Sequence, residues 1–186
     1  MASSSDFRIL ADLVSSASKT YSQASSWRVR LGSLDVIRII AHRMALDPAA
    51  RSRAVTIFKQ GLVDTIIEVR GFAHLCLAGL LRMMPSSEIE NIISAAPKLR
   101  RRKGKKEEQD AESLEIRHGR VLEISAIVLS HPTDLPSWMS DAVTALCLLN
   151  DDEPVIKQTI IHTVGEFKKV FTFFPCIFER KLIYLF

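Results

Sequence analysis

Apolar residues recur along most of this chain at intervals of three and four rather than two, the spacing of one face of an α-helix. From Trp27 to Met44 they fall at positions 27, 31, 34, 37, 40, 41 and 44, with Ser26 placed to cap the first turn. Asp47-Pro48 sets a capping carboxylate before a proline at the first helical position, which predicts a second helix running toward Gln60 and ended by Gly61. Asp64 is placed to cap a third, whose Ile67, Phe72, Leu75, Leu77, Leu80 and Leu81 form a wide apolar stripe, with Pro85 beyond its end. Ser86-Ser87-Glu88 opens a short helix that Pro97 stops. Periodicity is lost over residues 97–112 and returns at Leu114, continuing through Val121, Leu122, Ile124, Ile127, Val128 and Leu129 until His131-Pro132 breaks it. Pro136 starts another helix, with Trp138, Met139, Val143, Leu146 and Leu149 as buried candidates. The turn Asn150 to Pro154 supplies a cap and a first-turn proline for a last helix, Val155 to about Val170. No segment alternates as a strand does, so the expected fold is all-α.

The helices also repeat. Trp27-Arg28, Val69-Arg70, Ile116-Arg117 and Ile156-Lys157 each join a large apolar residue to a base near the start of a long helix, at intervals of 42, 47 and 40 residues. These intervals match the roughly 40–47-residue period of HEAT and armadillo arrays, so the chain reads as a HEAT/armadillo-like α-solenoid fragment of stacked helical hairpins. In such a stack the apolar member packs inward and its basic neighbour reaches an acidic turn of the next repeat. The competing reading is an irregular helical bundle. The expected organisation is helical repeats over residues 1–96, a charged, disordered loop over 97–113, further repeats over 114–170 and an apolar tail over 171–186.

Composition narrows the function. With 47% apolar and 25% charged residues, 7 Gly and 7 Pro, the chain is neither disordered nor low-complexity. Cys76, Cys147 and Cys176 lie far apart and are odd in number, which suggests neither a disulfide framework nor a zinc site and points to a reducing compartment. The N-terminus shows no secretory signal, and no apolar run reaches the length of a membrane span, so a soluble, intracellular chain without membrane partners is expected. His42, His74, His118, His131 and His162 form no metal-binding pattern, and no nucleophile elbow, phosphate-binding loop or dinucleotide turn occurs. Glu107, Glu108 and Asp110 sit in the charged loop, where no burial would hold a general acid. Neither enzymatic activity, nor a cofactor, nor a small-molecule substrate is expected.

Much of the net charge of +4 sits in one run, Arg100, Arg101, Arg102, Lys103, Lys105 and Lys106. Six bases around one glycine suit an import receptor or contact with nucleic acid, the competing reading being a solvated insertion, and the absence of interleaved aromatics argues against single-strand stacking.

The stretch Arg117 to Met139, containing Pro136-Ser137-Trp138-Met139, followed by Leu149 to Val155 with Asn150-Asp151-Asp152-Glu153-Pro154 and a helix ending Val164 to Lys169, resembles the C-terminal region of the proteasome activator complex subunit 4 family. Ser25 to Arg30, Glu68-Val69-Arg70, Leu77 to Leu81 and the basic loop follow the same order of features, so the resemblance covers about residues 20 to 170. It implies a C-terminal fragment or truncated paralogue of a large HEAT-repeat protein that binds the α ring of the 20S proteasome, promotes gate opening without ATP and has no catalytic residues. It further implies localisation to nucleus and cytoplasm, a link to DNA repair, and recognition of acetylated histones near Arg82 to Pro85, where this chain has no Asn. The family's terminal hydrophobic–tyrosine–any-residue motif makes Tyr184 and Phe186 the candidate proteasome contacts, although Leu185 is penultimate and Tyr184 stands one place early. A free-standing helical adaptor for an acidic nuclear partner is the alternative.

Overall fold

A computed structural model describes residues 4–43, 48–95, 112–131, 136–147 and 153–172. Among these there are eight helices and no strand: α1 (Ser4–Gln23), α2 (Trp27–Arg43), α3 (Pro48–Leu62), α4 (Ile67–Leu81), α5 (Ser86–Ala95), α6 (Leu114–Ser130), α7 (Met139–Cys147) and α8 (Pro154–Thr172). The all-α helical-repeat reading holds. The chain divides into two compact units, Met1–Met84 and Pro85–Phe186. No described helix is long and apolar enough to cross a membrane.

In the first unit, α1 pairs with α2 and α3 with α4, and the two hairpins stack through α2 on α4 and α1 on α3. Val14, Ile40 and Ala50 bring α1, α2 and the start of α3 into one apolar cluster. Leu34, Ile37, Phe58, Leu62, Leu77 and Leu81 are fully buried. Such burial is worth roughly 1.5–3 kcal/mol for each large side chain. In the second unit α6 packs on both α8 and α7. Trp138, at the entry to α7, is buried with its ring edge-on to His131, centroids 5.6 Å apart.

Within each unit, alternate helices run parallel. The start of α2 meets the turn before α4 through Arg30 and Asp64, and later residues of the same two helices, Arg38 to His42 and Phe72 to Leu80, line one cavity. In the second unit His118 and Ser125 of α6 meet Thr159 and Thr163 of α8 in that order. The helices α2, α4, α6 and α8 begin at residues 27, 67, 114 and 154, intervals of 40, 47 and 40.

Several expectations are corrected by packing. Helix α1 precedes the first stretch whose apolar spacing defines an individual helix: Ser15, Ser18, Thr20 and Ser22, poor helix formers, each donate to the carbonyl four residues back and so satisfy their hydroxyls within the helix. Gly61 does not end α3, which runs to Leu62. A Cβ at Gly61 would lie 2.7 Å from Ala73 Cβ and 3.3 Å from Leu34 Cδ1, so this glycine permits the close approach of α3 to its neighbours. Ile67 and Leu75, expected in the α4 stripe, are 47% and 64% exposed, and Val69, Ala73 and Cys76 are buried instead.

The repeat register also shifts. Arg28 lies over the Trp27 ring, 4.9 Å from its centroid, so that pair folds onto itself. The true equivalent of Val69-Arg70, Ile116-Arg117 and Ile156-Lys157 is Val29-Arg30, since all four pairs occupy the third and fourth positions of their helices. The third position is 46% exposed in α2 and 41% in α6, but 0% in α4 and α8. In each unit the trailing helix of the parallel pair buries this residue while the leading helix presents it to solvent.

Candidate functional site

Asp64 and Arg70, two buried charged residues of the first unit, lie where the α1–α2 and α3–α4 turns meet. Asp64 precedes α4, and its carboxylate accepts the Ile66 backbone N–H at 2.9 Å, which fixes the entry to the helix. Ile66, not Asp64, occupies the N-cap position. Asp64 therefore serves the turn and, across the repeat, receives a two-pronged contact from Arg30: Nε to Oδ2 at 2.7 Å and Nη2 to Oδ1 at 2.9 Å. Tyr21, at the end of α1, donates its hydroxyl to Oδ2 at 3.1 Å. The remaining arm of Arg30 donates to the carbonyls of Ala24 and Ser25, and Arg70 donates to those of Asp64 and Thr65. Carbonyls of both turns are thus tied down by arginines at the fourth helical position.

Burial alone would raise the Asp64 carboxyl, but the Arg30 hydrogen bond, the Ile66 N–H, the Arg30 charge and the Tyr21 hydroxyl outweigh it and hold the group below the ordinary carboxylate range. The Tyr21 phenol is driven up by burial and by the Asp64 charge and hydrogen bond. A carboxylate held this firmly is a structural pin and a poor proton donor. The second unit repeats the device in weaker form, with Arg117 3.7 Å from Glu153 at the turn before α8. Beside it lies a polar seam: Thr159 donates to Val155 O and meets His118 Nε2 at 3.0 Å, and Thr163 donates to Thr159 O and meets Ser125 Oγ at 2.6 Å.

Between α2 and α4 the surface opens into an apolar cavity of about 290 Å³. Ala41, Phe58, Cys76 and Leu80 form its buried floor, and Arg38, His42, Leu75 and Met83 stand around it. Burial pushes the Cys76 thiol up to about 12, so it lines the cavity as an apolar group and not as a nucleophile. No Asn lines it. Among the described residues no group of three His, Cys, Asp or Glu is arranged to hold a metal.

The import candidates Arg100, Arg101, Arg102, Lys103, Lys105 and Lys106 lie outside the described residues, as do Cys176, Tyr184 and Phe186. The reading of charge from the run alone missed a second excess. Residues 1–84 carry eleven Lys and Arg against six Asp and Glu, a formal +5, whereas residues 85–186 carry −1 even with the run included.

Residues 114–172, which span α6, α7 and α8, match the family described as proteasome activator complex subunit 4-like, C-terminal. The likeness continues beyond that segment: the chain is 29% identical over 151 residues to proteasome activator subunit 4 of Arabidopsis thaliana and 29% identical over 171 residues to proteasome activator complex subunit 4A of Danio rerio. The chain is similar to proteasome activator subunit 4. These alignments cover 78% and 84% of the chain but only 8% and 9% of the relatives, and a Xenopus laevis subunit 4, 28% identical, shows the same imbalance. The match to proteasome activator subunit 4 includes the Pro136 to Met139 element and the Glu153-Pro154 entry to α8, both of which the structure uses to start helices.

Proposed function

We infer that this chain is a segment of helical-repeat scaffold of the proteasome-activator type, which engages the α ring of the 20S core particle and promotes gate opening by binding, without ATP and without chemistry of its own. The observation that carries this reading is the family match over α6 to α8, extended by homology across about four-fifths of the chain. Binding energy in this reading comes from placing side chains and a terminal carboxylate against the ring, so the scaffold's task is rigidity, which the turn pins supply.

The test is co-sedimentation with purified 20S particles, with hydrolysis of a fluorogenic peptide as the second readout. Binding and stimulation by the full chain, or by a variant carrying a hydrophobic–tyrosine–any-residue ending grafted after Lys169, support the reading. Absence of both from both proteins overturns it.

A second reading, an adaptor for an acidic nuclear partner, is favoured by the +5 of residues 1–84 together with the basic run. It predicts an affinity that falls steeply with salt. Changing Arg100, Arg101, Arg102 and Lys103 to Ala should shift a nuclear and cytoplasmic distribution toward the cytoplasm, and an unaltered distribution removes the import role.

A further inference from the structure

Helix α4 turns an unusual edge to solvent. Ile67, Gly71, Leu75 and Gly79 recur every four residues, so they form one ridge row of the helix. Ile67 and Leu75 are exposed, and a Cβ at either Gly71 or Gly79 would meet nothing within 4 Å. The row is therefore two apolar knobs separated by notches, with no polar side chain in it. Helices pack by laying the ridges of one into the grooves of another, and a row of this form is shaped to receive a helix.

The row also runs into the apolar cavity, which Leu75 and Gly79 help to line. Arg38 stands at the cavity's edge with its side chain 48% exposed. Its Nε and Nη2 both donate to Asp35 Oδ1, at 2.9 and 2.7 Å, which engages two of its five N–H donors and leaves the others toward solvent. His42 lies beside it. Apolar knobs and a cavity, bordered by the Arg38 guanidinium and the His42 imidazole on a unit of net charge +5, select a ligand that is apolar on one face and acidic along its margin.

We propose that the α4 ridge and the adjoining α2–α4 cavity bind an amphipathic helix of a partner protein, whose apolar i, i+4 row enters the notches and the cavity and whose flanking carboxylates meet Arg38 and His42. This is the helix-in-groove mode of recognition. It requires no contribution from the basic run and does not depend on proteasome binding.

The probe is a fluorescein-labelled sixteen-residue helical peptide with Leu at i, i+4, i+8 positions and Glu along both margins, titrated against the full chain by fluorescence anisotropy. Two control peptides carry Ala for the Leu residues or Lys for the Glu residues. Saturable binding that falls at least tenfold with either control is expected. Gly79→Leu fills the notch and the mouth of the cavity from a helical position with free space, so it should fold and weaken binding at least tenfold. Gly32→Leu, an exposed α2 glycine with equally open surroundings outside this ridge, should leave it unchanged. Arg38→Gln should weaken binding several-fold and flatten its salt dependence. Circular dichroism and thermal melting check that each variant is folded. Absence of saturable binding, equal binding of the Lys peptide, or undiminished binding by folded Gly79→Leu overturns the proposal, the last by assigning the peptide to the basic run instead.

Discussion

Asp64 concentrates more structural consequence than any other single residue in the described part of the first unit, because one carboxylate closes the α4 entry and joins two repeats. Breaking a largely buried charge pair leaves the surviving charge uncompensated, so Asp64→Asn should cost about 3 kcal/mol at neutral pH in a denaturant titration. The pH dependence has a definite sign. The folded-state value is depressed, so the ion pair's contribution is fully present above the unfolded value of about 4 and is lost as pH falls through the folded value. The difference between wild type and Asp64→Asn should therefore be constant near pH 6–7 and shrink on acidification, and a gap that persists unchanged to pH 2 would contradict the pin. Gly61→Ala should destabilise by about 1–3 kcal/mol despite the better helix propensity of Ala, because the added methyl meets Ala73 and Leu34. Only part of this was legible. The sequence placed an acid at a helix entry and a glycine near a helix end, but partners 34 and 43 residues away, and the approach of Ala73, are products of stacking that local spacing does not encode.

Helix positions are the scale at which the repeat becomes testable. The third-position residues of α4 and α8 are buried and those of α2 and α6 are exposed, although all four are Val or Ile in the same apolar–base pair. Ile156→Ala should accordingly cost about 2–5 kcal/mol, while Ile116→Ala stays within about 1 kcal/mol, and likewise Val69→Ala should exceed Val29→Ala. Equal losses at paired positions would mean that the leading helices are covered after all. The intervals that define this register were visible in the sequence. Its first member was displaced by two residues because Trp27, the larger apolar side chain, precedes the true member Val29. The α1 helix was illegible for a different reason, since its Ser and Thr content argues against a helix until their back-bonds to main-chain carbonyls are counted. Exposure of Ile67 and Leu75 was equally hidden, because periodicity finds an apolar stripe but does not divide it between a core and a docking edge.

At the level of the whole chain, the class of fold followed from periodicity, and the likeness to proteasome activator subunit 4 was readable in the Pro136 to Met139 and Asn150 to Pro154 elements because their residue order is far more specific than a generic repeat. The basic run and the last residues, which carried the sequence's sharpest functional candidates, belong to parts outside the described residues, so the chemistry now rests on the charge of the first unit and the α4 edge. Each unit has its own core and its own turn pin, Arg30 with Asp64 in one and Arg117 with Glu153 in the other. Local opening follows the contacts of the unit that opens, so a lesion in one pin should be read only where its core is weakened. Native-state hydrogen exchange resolved by peptide should show Asp64→Asn accelerating exchange across α1 to α4 while α6 and α8 keep wild-type protection. If protection falls in α6 and α8 by the same factor, the two units unfold as one cooperative body, and the stability of the activator-like segment is then set by a carboxylate that lies outside it.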